Sequence, residues 1–246
     1  MNFFNSVLLF ILNISLVQSA HICDTYTTAL FTVNNSTNQL SLITAVVNLA
    51  VLGDVTLNVP GILAPEGGLA PIFAGAGATT NRGGVAVTVN FLDGSSNQRV
   101  LLEHLYQFFG SVLGCTAAGF PAYGGVPSMF EVHRFMDVNK TENDYFILQV
   151  GLAAGALGVT AVDVAIIANL LDITFNRRCS KPLTAEDGVP AFLIGTKPSV
   201  CVAETCPLDA DPDTECSKAA EEEEEELGFF GRIFARIQAF FSNLFG

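Results

Sequence analysis

His104 and His133, two of the three histidines in this 246-residue chain, are the side chains with the most distinctive chemical prospects. His133 is surrounded in sequence by Met129, Phe130, Val132, Phe135 and Met136, so its imidazole is carried toward an apolar interior, where an unpartnered polar group costs free energy. Imidazole is a good ligand for iron, and an axial histidine in an apolar pocket is one way of holding haem. Tyr106, Phe108 and Phe109, close to His104, are residues suited to line a porphyrin face. On composition alone the alternative is two satisfied or partly exposed histidines in an amphipathic domain.

Other chemistries have little support. The sequence carries no GxSxG, HExxH, P-loop or Gly-rich dinucleotide fingerprint. Acidic residues come close together, as in Asp93 with Glu103 or Asp137 with Glu142, but nothing in the pattern sets them across a substrate. The net charge of −13 argues against a nucleic-acid partner, which calls for a basic face. Part of that charge is the run Glu221 to Glu226, a solvated stretch.

Helices must position the two histidines. QLSLITAVVNLAVL, residues 39 to 52, has a broad apolar face and stops at Gly53. From Ser95, with Gln98 as a capping-box partner, Leu101, Leu105, Phe108 and Val112 recur at helical spacing up to about Gly114, and His104 falls at the edge of that stripe. Ser128 with Glu131 opens a short helix that carries His133. Asn139 with Glu142 opens one closed by Gly158, and Thr160 with Asp163 opens another ending near Asn176. This repeated punctuation predicts an all-α domain over residues 21–179. The loop-rich segment 54 to 94 interrupts it with one alternating stretch, in which Val85, Val87, Val89 and Phe91 share a face as a short strand.

The ends differ in character. Residues 1–20 have an apolar run from Val7 to Val17 followed by Ser19 and Ala20, which reads as a signal peptide and predicts a secreted protein. The run falls short of the roughly 20 apolar residues of a spanning helix. Cys23, Cys115, Cys179, Cys201, Cys206 and Cys216 are even in number and in an oxidising compartment are disulfide candidates, their pairing open. Asn34, Asn35 and Asn139 stand in glycosylation sequons. Residues 180–226 form a Cys-, Pro- and acid-rich extension, and residues 227–246 an amphipathic helix, with Phe230, Ile233, Phe234, Ile237, Phe241 and Leu244 on one stripe. Such a stripe suits docking on its own domain, a membrane surface or a protein partner.

The order of motifs from residue 99 to 175 resembles the truncated haemoglobins, the small two-over-two helical globins. HLYQFFGSVLGC at 104 to 115 looks like the family's distal helix, and Tyr123-Gly124, Met129 and VHRFM around His133 look like its tyrosine-glycine turn and proximal histidine segment. NDYFILQVGLAAGALGVTAVDVAIIANLL, residues 143 to 171, is similar to its last two helices. The resemblance implies a globin-like fold with a loop-rich insertion and an irregular C-terminal tail, haem b as cofactor, His133 as proximal iron ligand and His104 as a distal sixth ligand. It implies a pocket lined by Leu101, Leu105, Phe108, Phe109, Met129 and Val132, and a small diatomic ligand such as oxygen or nitric oxide, or haem redox chemistry. A haem-binding role is implied rather than that of a dedicated enzyme.

Some positions depart from the family pattern. Gly53 or a neighbour stands where many members carry a distal tyrosine, and Leu105 where a glutamine is frequent, so bound oxygen is less stabilised unless His104 or Gln107 supplies the contact. The haem-facing phenylalanine is either Phe73 or Phe91. The other reading is a secreted interaction or membrane-surface protein on a haem-free globin scaffold, acting through residues 227–246.

Overall fold

The computed structural model describes residues 22–178 and 180–198. Residues 1–21, Cys179, Cys201, Cys206, Cys216 and residues 227–246, with the expected signal peptide and amphipathic helix, lie outside the described residues. Those described are mostly helical, with seven α-helices and one two-stranded hairpin. No helix among them is long and apolar enough to cross a membrane.

The first helix, α1 (Ile22–Phe31), is threonine-rich, ends at Thr32 with φ of +65°, and is held by tertiary bonds. Cys23 is disulfide-bonded to Cys115. The Asp24 carboxylate accepts from Gln39 Nε2 at 2.5 Å and from the Thr116 backbone N–H at 3.1 Å, and the Tyr26 hydroxyl donates to Asp163 Oδ2 at 2.5 Å. The next helix, α2 (Ser36–Leu52), starts three residues before the expected Gln39, because the Asn35 side chain accepts the Asn38 N–H at 2.9 Å and caps the helix there. Asn34 and Asn35 are exposed, whereas Asn139 is half-buried.

Gly53 ends α2 with φ of +74°, and the chain doubles back so that Gly61, at φ of +90°, crosses directly over it. A Cβ on Gly61 would fall 2.5 Å from the Gly53 nitrogen. The crossing is pinned to the core by the Gly61 N–H, which donates to Gln149 Oε1 at 2.9 Å, and by the Tyr145 hydroxyl, which donates to the Gly61 carbonyl at 3.1 Å. Gly61→Ala therefore combines a left-handed backbone with a backbone clash and should destabilise the protein by at least about 2 kcal/mol. Urea unfolding reads this; a loss below about 0.5 kcal/mol, the range of ordinary surface changes, would contradict the crossing.

After the single-turn helix α3 (Ala70–Phe73) comes the hairpin of β1 (Thr80–Arg82) and β2 (Val85–Val87), antiparallel with Thr80 opposite Val87. The expected strand to Phe91 is shorter than its alternation suggested. Val85 sits at the tip and is 62% exposed; only Val89 of the four alternating residues is buried. Beyond Val87 the ladder gives way to the Thr79 side chain, whose Oγ1 accepts the Val89 N–H at 2.7 Å.

Four helices follow in the expected places. They are α4 (Ser96–Val112), α5 (Met129–His133), α6 (Lys140–Ala156) and α7 (Ala161–Phe175). Of their capping boxes, Asn139 with Glu142 closes fully. Ser95 instead accepts the Asn97 N–H, at 3.2 Å, leaving Gln98 out. Ser128 accepts the Glu131 N–H at 3.3 Å, but the Glu131 carboxylate turns to Arg134 at 3.4 Å. Helix α2 packs against α1, α4 and α6, and α6 against α7. The pair α2/α4 thus rests on the pair α6/α7 around Ile43, Ile147, Ile167 and Leu171, which are fully enclosed.

Candidate functional site

Helix α5 has only five residues, too few to stand in water without support. The inserted hairpin and the C-terminal extension supply it. Asn81 of β1 donates through Nδ2 to the Glu131 carbonyl at 2.7 Å, and the Phe130 N–H donates to the Lys197 carbonyl at 3.3 Å. Neither partner stands near α5 in sequence. Met129 is buried beneath the helix and Val132 packs on the core.

The His133 ring is held in one tautomer. Its Nδ1–H donates to the Met129 carbonyl, one turn back, at 2.9 Å, which leaves the Nε2 lone pair as the free donor atom. The residue is half-buried, with Phe175 edge-on to its ring at a centroid distance of 6.1 Å. Burial pushes the His133 pKa down to about 4, with the Met129 hydrogen bond opposing part of that shift. At neutral pH the ring is an uncharged imidazole, the form a metal takes.

That depression has a consequence for stability. The unfolded histidine titrates at its ordinary value of about 6.5 and the folded one near 4, so between these values the unfolded state binds the extra proton. Stability is fully present above pH 6.5 and falls as pH drops through the window. The slope for one proton is at most about 1.4 kcal/mol per pH unit. Denaturant midpoints from pH 7 to 4 should fall more steeply for the wild type than for His133→Ala; equal slopes would contradict it.

His104 is half-buried on α4, edge-on to the Tyr123 ring at 5.8 Å. Tyr123 belongs to a turn fixed by Gln107, whose Oε1 accepts the Gly124 N–H at 2.9 Å, so Gln107 already has this work. From Tyr123 the aromatic path continues to Phe108 at 5.7 Å, from Phe108 to Phe175 at 5.6 Å, and so to His133. The two histidines thus flank one aromatic cluster, to which the extension adds Phe192, 5.5 Å from Tyr123 and 5.9 Å from Phe108.

Of the residues expected to line a pocket, Phe108 stands in this cluster and Met129 and Val132 under α5. Leu105 and Phe109 face a different space, an all-apolar cavity of about 30 Å³ shared with Val46, Ala50, Phe73 and Phe146. Water there would find no hydrogen-bond partner, so the cavity stays dry. Phe73, not Phe91, faces it. Leu101 is half-buried outside the main apolar cluster. Tyr106 turns from the histidines altogether, its hydroxyl donating to Asn48 Oδ1 at 2.8 Å.

Sequence reasoning did not reach Tyr123 as a ring partner of His104, nor Phe175 and Phe192. Phe175 ends a recognisable helix and could have been found from its spacing. Phe192 lies in an irregular, proline-flanked stretch with no signal.

Imidazole is a donor type that haem iron takes, and here one neutral imidazole, its tautomer fixed by a carbonyl, and a second on α4 stand on either side of the packed rings of Tyr123, Phe108 and Phe175. Among the described residues no group of three or more His, Cys, Asp or Glu side chains could hold a bare metal ion. Comparison with protein-family models, curated proteins and solved structures finds no match to this chain.

Proposed function

We propose that this protein is a secreted, haem-binding member of the two-over-two globins, with His133 as proximal ligand and His104 as distal ligand. The observation that carries the reading is the His133 Nδ1–H bond to the Met129 carbonyl, which leaves Nε2 as the donor atom on a short helix beside the aromatic cluster of Phe175 and Phe108. The stacking of α2/α4 on α6/α7 supports the globin assignment. The Cys23–Cys115 disulfide supports passage through an oxidising compartment.

Haem b would supply reversible binding of a diatomic gas or electron transfer, chemistry that belongs to the cofactor. The chain's contribution is orientation and exclusion of water. The Met129 carbonyl holds the His133 ring and raises its basicity as a ligand. Phe108, Tyr123 and Phe175 offer apolar faces to a flat macrocycle. The dry cavity next to Leu105 offers room for a small apolar molecule. Of the candidate donors near His104, Gln107 is occupied, Tyr106 points away and the Tyr123 hydroxyl donates to the Val126 carbonyl at 3.4 Å. Ligands that need no hydrogen bond, carbon monoxide and nitric oxide, are therefore favoured over oxygen.

His104→Leu tests the distal assignment. The haem-reconstituted variant should change from a low-spin to a high-spin ferric spectrum and bind carbon monoxide faster, because no imidazole has to be displaced. An unchanged spin state would remove His104 from the iron.

A further inference from the structure

The structure sets the three sequon asparagines apart from one another. Asn34 and Asn35 lie in the short bend between α1 and α2, where Thr32, at φ of +65°, turns the chain and Asn38 Nδ2 donates to the Val33 carbonyl at 2.8 Å. Asn139 caps α6 at a junction on which the 3-10 turn Pro65–Gly67 packs.

Their carboxamides differ in what holds them. Asn139 is half-buried; its Oδ1 accepts the Glu142 N–H at 3.0 Å, and its own backbone N–H donates to the Glu142 carboxylate at 2.9 Å. Asn34 Oδ1 accepts from Gln39 Nε2 at 2.7 Å, and Gln39 is fully enclosed, its Nε2 also donating to Asp24 at 2.5 Å and its Oε1 accepting the Ala117 N–H at 3.2 Å. Asn34 is thereby tied to an interior network. Asn35 Oδ1 accepts the Asn38 N–H at 2.9 Å in a bond that lies in solvent, and among the described residues no hydrogen bond holds its Nδ2. Thr37, whose hydroxyl completes the Asn35 sequon, is exposed, whereas Ser36, which completes that of Asn34, is half-buried. Beside this bend Leu30, Phe31 and Val33 are 51%, 40% and 55% exposed, an apolar strip that the described residues leave uncovered. Grouped apolar side chains at a surface mark a place that another group covers.

We propose that Asn35 carries an N-linked oligosaccharide, alone among the three sequons, and that its first sugars lie over Leu30, Phe31 and Val33. The inference rests on the secretory part of the proposed function and not on haem. In the transfer, Asn35 Nδ2 attacks the anomeric carbon of a polyprenyl-diphosphate-linked oligosaccharide. The new C–N bond replaces the C–O bond to the diphosphate, which leaves with that electron pair, and one Nδ2 proton is lost to the medium. The product keeps Oδ1 as an acceptor, so the cap of α2 survives the modification. A sugar ring packs its C–H face on apolar side chains while its hydroxyls stay in water, and a bulky, solubilising group at this bend meets no interior atoms.

The test is production of the full chain in cultured eukaryotic cells, once with its own leader and once with an established export leader in place of residues 1–20. Glycan is read as a mobility shift reversed by peptide-N-glycosidase, and its site as the asparagine converted to aspartate in peptide mass spectra. Ser36→Ala and Thr37→Ala each delete one sequon and leave both asparagines in place. Exported wild type and Ser36→Ala should each carry one glycan, at Asn35, and Thr37→Ala none. Exported wild type with no glycan, or with one at Asn34 or Asn139, would overturn the proposal while secretion stands, and a shift that survives Thr37→Ala would overturn the selection of Asn35. If the chain leaves the cell only behind the established leader and is then modified at Asn35, the secretion reading falls and the site stands. Release of the glycan turns Asn35 into aspartate, which caps a helix as well, so the fold is kept. Emission of a hydrophobic-surface dye should rise on release; unchanged emission would overturn the covering of the strip.

Discussion

His133→Ala should abolish the ligated Soret spectrum of the haem-reconstituted protein. The affinity loss should exceed the roughly 10- to 100-fold typical of removing an outer-shell partner, because here the ligand itself is gone. His133 is the imidazole whose tautomer is fixed, its Nδ1–H donating to the Met129 carbonyl at 2.9 Å. The substitution is mild for the fold. It removes a ring from a half-buried residue whose burial opposes protonation, so the apoprotein should stay folded at pH 7. Added imidazole should restore the band, by refilling the space from solution. Loss of the band with rescue identifies a ligand. A band that survives in His133→Ala would show the iron held elsewhere, and loss without rescue in a destabilised protein would point to packing instead.

The second large effect is expected at the disulfide. Cys23 and Cys115 are 92 residues apart, and a bridge closing a loop of that order restricts the unfolded chain by about 4 to 5 kcal/mol in the chain-entropy account. A domain of ordinary stability, about 5 to 15 kcal/mol, loses a large share of it on reduction. The bridge also fixes α1, whose sequence has little reason to be helical by itself, onto the end of α4. There the Cys23 N–H donates to the Leu113 carbonyl at 2.8 Å, and Asp24 takes the Thr116 hydroxyl at 2.5 Å. The double variant Cys23→Ser, Cys115→Ser should therefore melt on the order of 10 °C lower, with amide exchange in α1 rising first. A fall of less than about 3 °C would mean that the hydrogen bonds around Asp24 hold α1 without the bridge.

How much could be read from the sequence follows the range of the forces involved. Helices α4, α6 and α7 declare themselves because their signals are local: Asn139 and Glu142 form their box within four residues, and Gly114 and Gly158 stop helices with positive φ. Helix α1 is illegible for the opposite reason. Its stabilisers are Cys115, Thr116, Asp163 and Gln39, and the first three lie some ninety residues or more away. Val85 misled because alternation marks a strand but not which end of it is covered.

The site divides along the same line. His133 on a short capped helix was readable from Ser128 and Glu131, and the structure adds the carbonyl that orients it. That Asn81 and Lys197 brace the helix was not, since both contacts cross from segments whose sequence has no periodicity. Leu105 shares the apolar stripe with Phe108, yet it faces the dry cavity together with Phe109, while Phe108 stands among the rings between the histidines.

The central claim is that His133 and His104 together bind haem iron, and an equilibrium absorption titration of the purified chain with haemin tests it most directly. Saturation is expected at one haem per chain, with a sharpened Soret band and low-spin bands in both the ferric and the dithionite-reduced forms. A Soret band that stays broad and rises without a break as haemin is added would contradict it, and would leave the aromatic cluster as core packing between two structural histidines.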